Sequence, residues 1–351
     1  MNISIVDIVS GIEEFKILYK DAADNVNNAT TFWNIYNPQP NELLRSQQYL
    51  VLRERMFKLL MTCKQIDQEA FAKIHKGHPY FFIGITSYRL GDYQTSILFF
   101  DAALSEDLKF KKEEDSPTRL FFMLKGEEPR NAARLDTQYV ETKVKRSINY
   151  YNDDIAKNKD INKINLKDMQ DVFFEYVLDN SGDPGLRTML TTYITYIVEW
   201  DFRNEHFDLG VRKGTSEPYL LHLFRGCVLF ESLLKRNPFP KPKHEDQKKE
   251  LGKLLRYYQN EMKVKLPDDF TSKITGINTL GKLLTELNNQ SEVIEDSILT
   301  TYWLRNILGH SLAWEDRIEQ ESYRKLYFSV STSCLHVINC LWRNPQLKYD
   351  V

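Results

Sequence analysis

Near the end of the chain stand Arg305, Asn306, Ile307, Leu308, Gly309 and His310, in that order. This run sets a permanent cation, an amide and a titratable imidazole within about one and a half helical turns. A guanidinium stays charged and presents a planar fork suited to phosphate. An imidazole titrates close to neutrality and can give or take a proton. Such a trio could hold a phosphodiester and move protons on it without a metal. The simpler reading keeps the same residues structural, with His310 capping helix carbonyls and Arg305 paired with Glu295 or Asp296.

The motif has to be carried by a helix, and the sequence predicts one over Val293 to about Leu308. Its neighbours are predicted at Tyr219–Lys235, in a basic stretch ending at Tyr258, at Ile277–Leu287 and at Glu319–Trp342. Ser216, Glu217 and Pro218 suit the start of the first of these, with Ser216 as its N-cap. Asn237-Pro238 ends it, and Phe239–Lys243 is a proline-spaced loop. Helices joined by short loops make an up-and-down bundle over residues 215–351. Five residues of ideal helix turn through roughly 500°, leaving Arg305 and His310 about 140° apart. Gly309 is where a local bend would swing them together. Glu231 lies inside the apolar Tyr219–Lys235 helix, where it either pairs, with Arg305 as one contact, or faces a cleft, or else is exposed on the bundle's outer face; it and Arg225 are candidate accessory residues. Lys235–Lys265 holds ten Lys or Arg against four Asp or Glu, a surplus that could guide an RNA backbone.

The motif and its bundle resemble the HEPN superfamily, whose signature is an arginine, a polar neighbour and a histidine four to six positions on. Arg305, Asn306 and His310 match it. The resemblance implies a metal-independent endoribonuclease acting as a homodimer through this bundle. The ribose 2′-hydroxyl would attack phosphorus and leave a 2′,3′-cyclic phosphate and a 5′-hydroxyl. His310 would act as general acid or base, Arg305 would hold the non-bridging oxygens, and Asn306 would orient phosphate or the partner imidazole. A toxin or anti-phage role is implied on the same ground.

The preceding residues read as helices throughout. Ile5, Ile8, Ile12, Phe15 and Leu18 make an amphipathic stripe. Asn37-Pro38-Gln39-Pro40 breaks the chain, and a second helix is expected over Glu42–Cys63. Within residues 78–108, Gly84, Tyr88, Gly91-Asp92-Tyr93, Ile97, Phe100 and Ala103-Leu104 describe two helices joined by a glycine turn. This hairpin resembles one tetratricopeptide repeat, with Ser96 departing from that family's usual alanine, and its neighbours would be degenerate partners. Residues 1–110 are therefore expected to form a helical-repeat-like array. Residues 111–214 form a helical middle region, in which Tyr139–Asn162 reads as a solvated helix or a mobile connection. Asn180–Gly185 is a turn, and Leu186–Trp200 is a helix with Tyr193, Ile194, Ile197 and Trp200 on its apolar side. His75 and His78 read as loop polarity, and Arg203-Asn204-Glu205-His206 as surface.

The fold class is all-α: 14 Gly and 12 Pro in 351 residues punctuate too little for many strands. A hydrophobic share of 42% with 27% charged residues fits a soluble globular protein. The net charge of −2 leaves any RNA site to a local patch. Cys63, Cys227, Cys334 and Cys340 show no CxxC pairing, so neither zinc nor a disulfide framework is expected, and a cytoplasmic setting is. No signal-type leader or membrane span is read. Glycine-rich phosphate loops, HExxH and GxSxG are absent, and no cofactor is expected. The alternative function is a non-catalytic adaptor, its array binding a protein partner and its bundle serving dimerisation or nucleotide binding.

Overall fold

A computed structural model describes residues 12–110, 116–127, 134–157, 160–180, 182–207, 216–242, 250–273, 276–287, 293–310 and 318–343, with Ile12, Lys157, Val293 and His310 described in backbone only. Every regular element among them is helical. Ile5 and Ile8 of the expected first stripe lie outside the described residues. The chain divides into two compact units, Met1–Gln138 and Tyr139–Val351.

The first unit holds α1 (Ile12–Asp24), α2 (Val26–Tyr36), α3 (Pro40–Arg45), α4 (Tyr49–Ile66), α5 (Gln68–Lys73), α6 (Gly77–Arg89), α7 (Tyr93–Lys109) and α8 (Pro117–Phe122). Phe15, Tyr19, Phe32 and Trp33 interlock α1 with α2 as a ring cluster. The Trp33 indole N–H donates to the His75 carbonyl at 2.7 Å and ties this cluster to the start of α6. The expected helix over Glu42–Cys63 is instead two. Gln47 adopts a left-handed backbone (φ 58°) and the Ser46 hydroxyl back-bonds to the Glu42 carbonyl, so the chain turns between α3 and α4.

The α6–α7 hairpin follows from its small residues. A methyl placed on Gly84 would come within 2.8 Å of the Phe100 ring, so only glycine lets α7 lie this close. Gly91 takes φ 75° in the turn, a conformation that favours glycine. Asp92 then caps α7, accepting from the Thr95 N–H at 3.2 Å.

The second unit begins inside α9 (Arg134–Asp154) and continues with α10 (Leu166–Met169), which passes through a π-helical turn at Gln170–Phe174 into α11 (Glu175–Asp179). Next come α12 (Pro184–Glu205), α13 (Glu217–Arg236), α14 (Leu251–Tyr258), α15 (Leu280–Leu287), α16 (Val293–His310) and α17 (Gln320–Leu341). Leu220, Leu223, Cys227, Phe230 and Leu234 give α13 a fully buried stripe at helical spacing. Gly226 on the same helix lets the Tyr196 ring of α12 and Val330 of α17 approach its backbone. Trp200 stacks on Tyr327 at 4.0 Å, joining α12 to α17.

The expected middle region, 111–214, is thus shared between the units. Of the two readings of Tyr139–Asn162, a solvated helix or a mobile connection, the described residues form a helix to Asp154, exposed on one face but buried along Val140, Val144, Ile148 and Tyr151. Ser147 bonds Ser331 at 2.7 Å, and Tyr151 bonds His336 at 3.1 Å, fastening α9 to α17. Ser216 does not cap α13 with its side chain; its hydroxyl accepts from the Ile318 N–H at 3.0 Å. All four cysteines are free thiols. Among the described residues no helix is long and apolar enough to cross a membrane.

Candidate functional site

Arg305 lies in the last turns of α16, its side chain 31% exposed. Its Nε–H donates to Glu231 Oε2 on α13 at 2.8 Å. Glu231 is otherwise buried, and its second oxygen accepts from Lys235 one turn further along α13. Burial pushes the Glu231 carboxyl up, but the Lys235 hydrogen bond and the Arg305 charge outweigh it and leave it below the usual glutamate range. The buried carboxylate of α13 is therefore an anion fixed between two cations. Because the guanidinium is gripped at Nε, its two terminal Nη groups bond no partner among the described residues. Nη1 lies 3.7 Å from where a Gly309 Cβ would stand, so the guanidinium leans forward along α16 towards its end.

The other motif residues are placed differently. The Asn306 amide donates to the Tyr302 carbonyl at 2.7 Å, back-bonded to its own helix. The bend expected at Gly309 is not formed, since α16 runs helical through Gly309 to His310. The His310 side chain lies outside the described residues. Arg305 pairs with Glu231 rather than with Glu295, whose carboxylate accepts from the Lys265 N–H at 3.3 Å.

Arg225 is not brought to this cluster. It bonds Glu199 of α12, a buried carboxylate shared with Arg203. Six residues separate Arg225 from Glu231, roughly 600° of helix, so they leave α13 on different sides. Beside that pair, fully buried His222 donates through Nε2–H to the Tyr196 carbonyl at 3.0 Å and accepts the Tyr323 hydroxyl at Nδ1, 2.8 Å. Burial brings its pKa down to about 4, so the ring is neutral at physiological pH. His336 of α17 repeats the pattern. Nε2–H donates to Met262 at 2.8 Å, Tyr151 donates to Nδ1, and burial again brings the pKa down to about 4. Both rings are satisfied core groups rather than proton donors to a substrate.

The first unit holds a cleft that the sequence reading missed. Its volume is about 760 Å³ and its walls come from α2, the start of α3, α6, the end of α7 and the start of α8. His75 and Asp107 sit in its floor, Nε2 to Oδ1 at 3.1 Å and both buried. They close over Gly77, where a methyl would lie 2.5 Å from the imidazole. His78, taken with His75 as loop polarity, also lines it. The two histidines were legible as a spaced pair, but Asp107 is 32 residues away and no local pattern connects it.

Among the described residues, no cluster of three His, Cys, Asp or Glu side chains is arranged to hold a metal ion. No protein-family model, curated protein or solved structure matches this chain.

Proposed function

We propose that the second unit is a HEPN-type endoribonuclease working on RNA as a homodimer, with Arg305 and His310 as its catalytic pair. The observation that carries this reading is the bracing of Arg305: held through Nε by buried Glu231, it has two terminal NH2 groups that engage no partner among the described residues. Oriented donors of this kind can stabilise charge as it grows on a phosphorane. The reaction needs one base and one acid. His310 takes the proton of the 2′-hydroxyl as its oxygen bonds phosphorus. A second imidazole gives a proton to the departing 5′-oxygen as the P–O5′ bond breaks. Products are a 2′,3′-cyclic phosphate and a 5′-hydroxyl, with atoms and charge balanced. One imidazole does not readily serve both ends of an in-line displacement, so a symmetric partner supplies the second.

The test is cleavage of a labelled oligoribonucleotide by the full chain in chelator. His310→Ala and Arg305→Ala are each expected to lower the rate by about 10²-fold or more, with the helical circular dichroism unchanged. Full cleavage by His310→Ala removes the role given to that residue.

One feature favours the second reading, an adaptor. In the first unit, Leu50, Phe57 and Met61 of α4 and Leu98 of α7 are exposed apolar side chains, and Phe57 meets Phe99 of α7 edge-on at 5.3 Å. Apolar surface of this kind suits protein contact. That reading expects a wild-type chain inert towards RNA.

A further inference from the structure

The cleft of the first unit has a specific chemical character, and it does not depend on the ribonuclease reading. Its volume of about 760 Å³ lies within the range of small-molecule sites. Among the described residues no lysine or arginine lines it, while the Asp107 carboxylate does. The Lys109 ammonium lies 5.0 Å from the Phe110 ring centroid, at the edge of the cleft rather than in its lining. What the walls offer is neutral: the amides of Asn27, Asn34 and Asn41, and the hydroxyls of Thr30, Ser116 and Thr118.

These groups are arranged rather than scattered. Asn27, Thr30 and Asn34 fall at i, i+3 and i+7 along α2, one face of one helix. All three are exposed at the rim, and the three asparagine amides engage no partner among the described residues. An unengaged amide presents a donor and an acceptor side by side, the pattern that reads the edge of a heterocyclic base. Behind them, part-exposed His78 and Phe110 supply rings, with Phe81 and Phe82 deeper. Aromatic side chains are what bases stack against.

The floor adds an unsatisfied group. His75 Nε2 faces Asp107 Oδ1 at 3.1 Å, and its other ring nitrogen, Nδ1, is buried without a partner. A buried polar atom left without a partner is unfavourable in a folded protein. Gly77 permits this arrangement by lying directly beneath the imidazole. A polar ligand atom reaching the floor would meet a positioned, unpartnered ring nitrogen.

We infer that this cleft binds an uncharged nucleobase, its edge read by the α2 asparagines and its face set against His78 and Phe110. The base arrives either on a free nucleoside or splayed from single-stranded RNA. Its sugar, and any phosphate, stays at the open side.

Ligand-observed NMR and calorimetry on the full chain test this. The probes are adenosine, guanosine, cytidine and uridine, the corresponding 5′-monophosphates, and a ribotrinucleotide. The trinucleotide is measured in the Arg305→Ala background to prevent cleavage. At least one nucleoside or the trinucleotide is expected to bind saturably, and Asn34→Leu, an exposed change that leaves the helix intact, to weaken it tenfold or more. Arg305→Ala is expected to bind nucleoside as the unaltered chain does, which separates failure here from failure of the ribonuclease reading. Nucleoside binding assigns a free ligand; binding of the trinucleotide alone assigns RNA. Absence of binding by every probe at millimolar concentration, equal binding by Asn34→Leu, or tighter binding of a monophosphate than of its nucleoside overturns the inference.

Discussion

At Arg305 the contact that matters most is the one made at Nε, because it ties the guanidinium to Glu231 while both terminal NH2 groups engage no partner among the described residues. Glu231→Gln keeps the shape but removes the charge that holds Arg305. Steady-state kinetics on the labelled RNA should then show kcat falling about tenfold, with KM changed less, as for a positioning residue. Unchanged kcat would mean that the bracing is only structural. The need for a partner at Glu231 was legible, since a lone carboxylate in an apolar helix is costly. The partner of Arg225 was not: Glu199 lies on another helix and 26 residues away. Nor was the environment of His222 and His336, whose satisfying tyrosines lie 101 and 185 residues distant.

Among the elements, the α6–α7 hairpin was the most legible because its determinants are local. Glycine, aromatic and alanine recur along one short stretch, and Gly84 meets Phe100 as that spacing requires. Gly84→Ala must push the Phe100 ring aside and is expected to lower stability by about 1–3 kcal/mol in a denaturant titration. No change in midpoint would show that the ring yields freely. Two elements were misread for physical reasons. The polar composition of α9 hid a four-residue stripe, Val140, Val144, Ile148 and Tyr151, that packs into the second unit. The turn at Gln47 lacks the glycine or proline that marks most turns, so α3 and α4 looked continuous.

For the whole molecule, the all-α class followed from composition and periodicity, while the division at residues 138/139 depends on contacts between distant segments. The two buried histidines give the second unit an acid response. Each has a folded pKa near 4 against about 6.5 unfolded. Between those values the unfolded chain binds protons that the folded chain refuses, so stability falls as pH drops from about 6.5 towards 4. The slope is about 1.4 kcal/mol per pH unit for each histidine. Thermal or urea unfolding across that window should show declining stability, and a flat or rising profile would contradict the burial of neutral rings.

The central claim, that Arg305 and His310 cut RNA through its own 2′-hydroxyl, is tested most directly by one pair of substrates in chelator. One is an all-ribose oligonucleotide; the other carries 2′-deoxyribose at the site where the first is cut. The expected result is cleavage of the first to a 2′,3′-cyclic phosphate end and no cleavage of the second at that site. Cutting of both alike, or of neither, would contradict it.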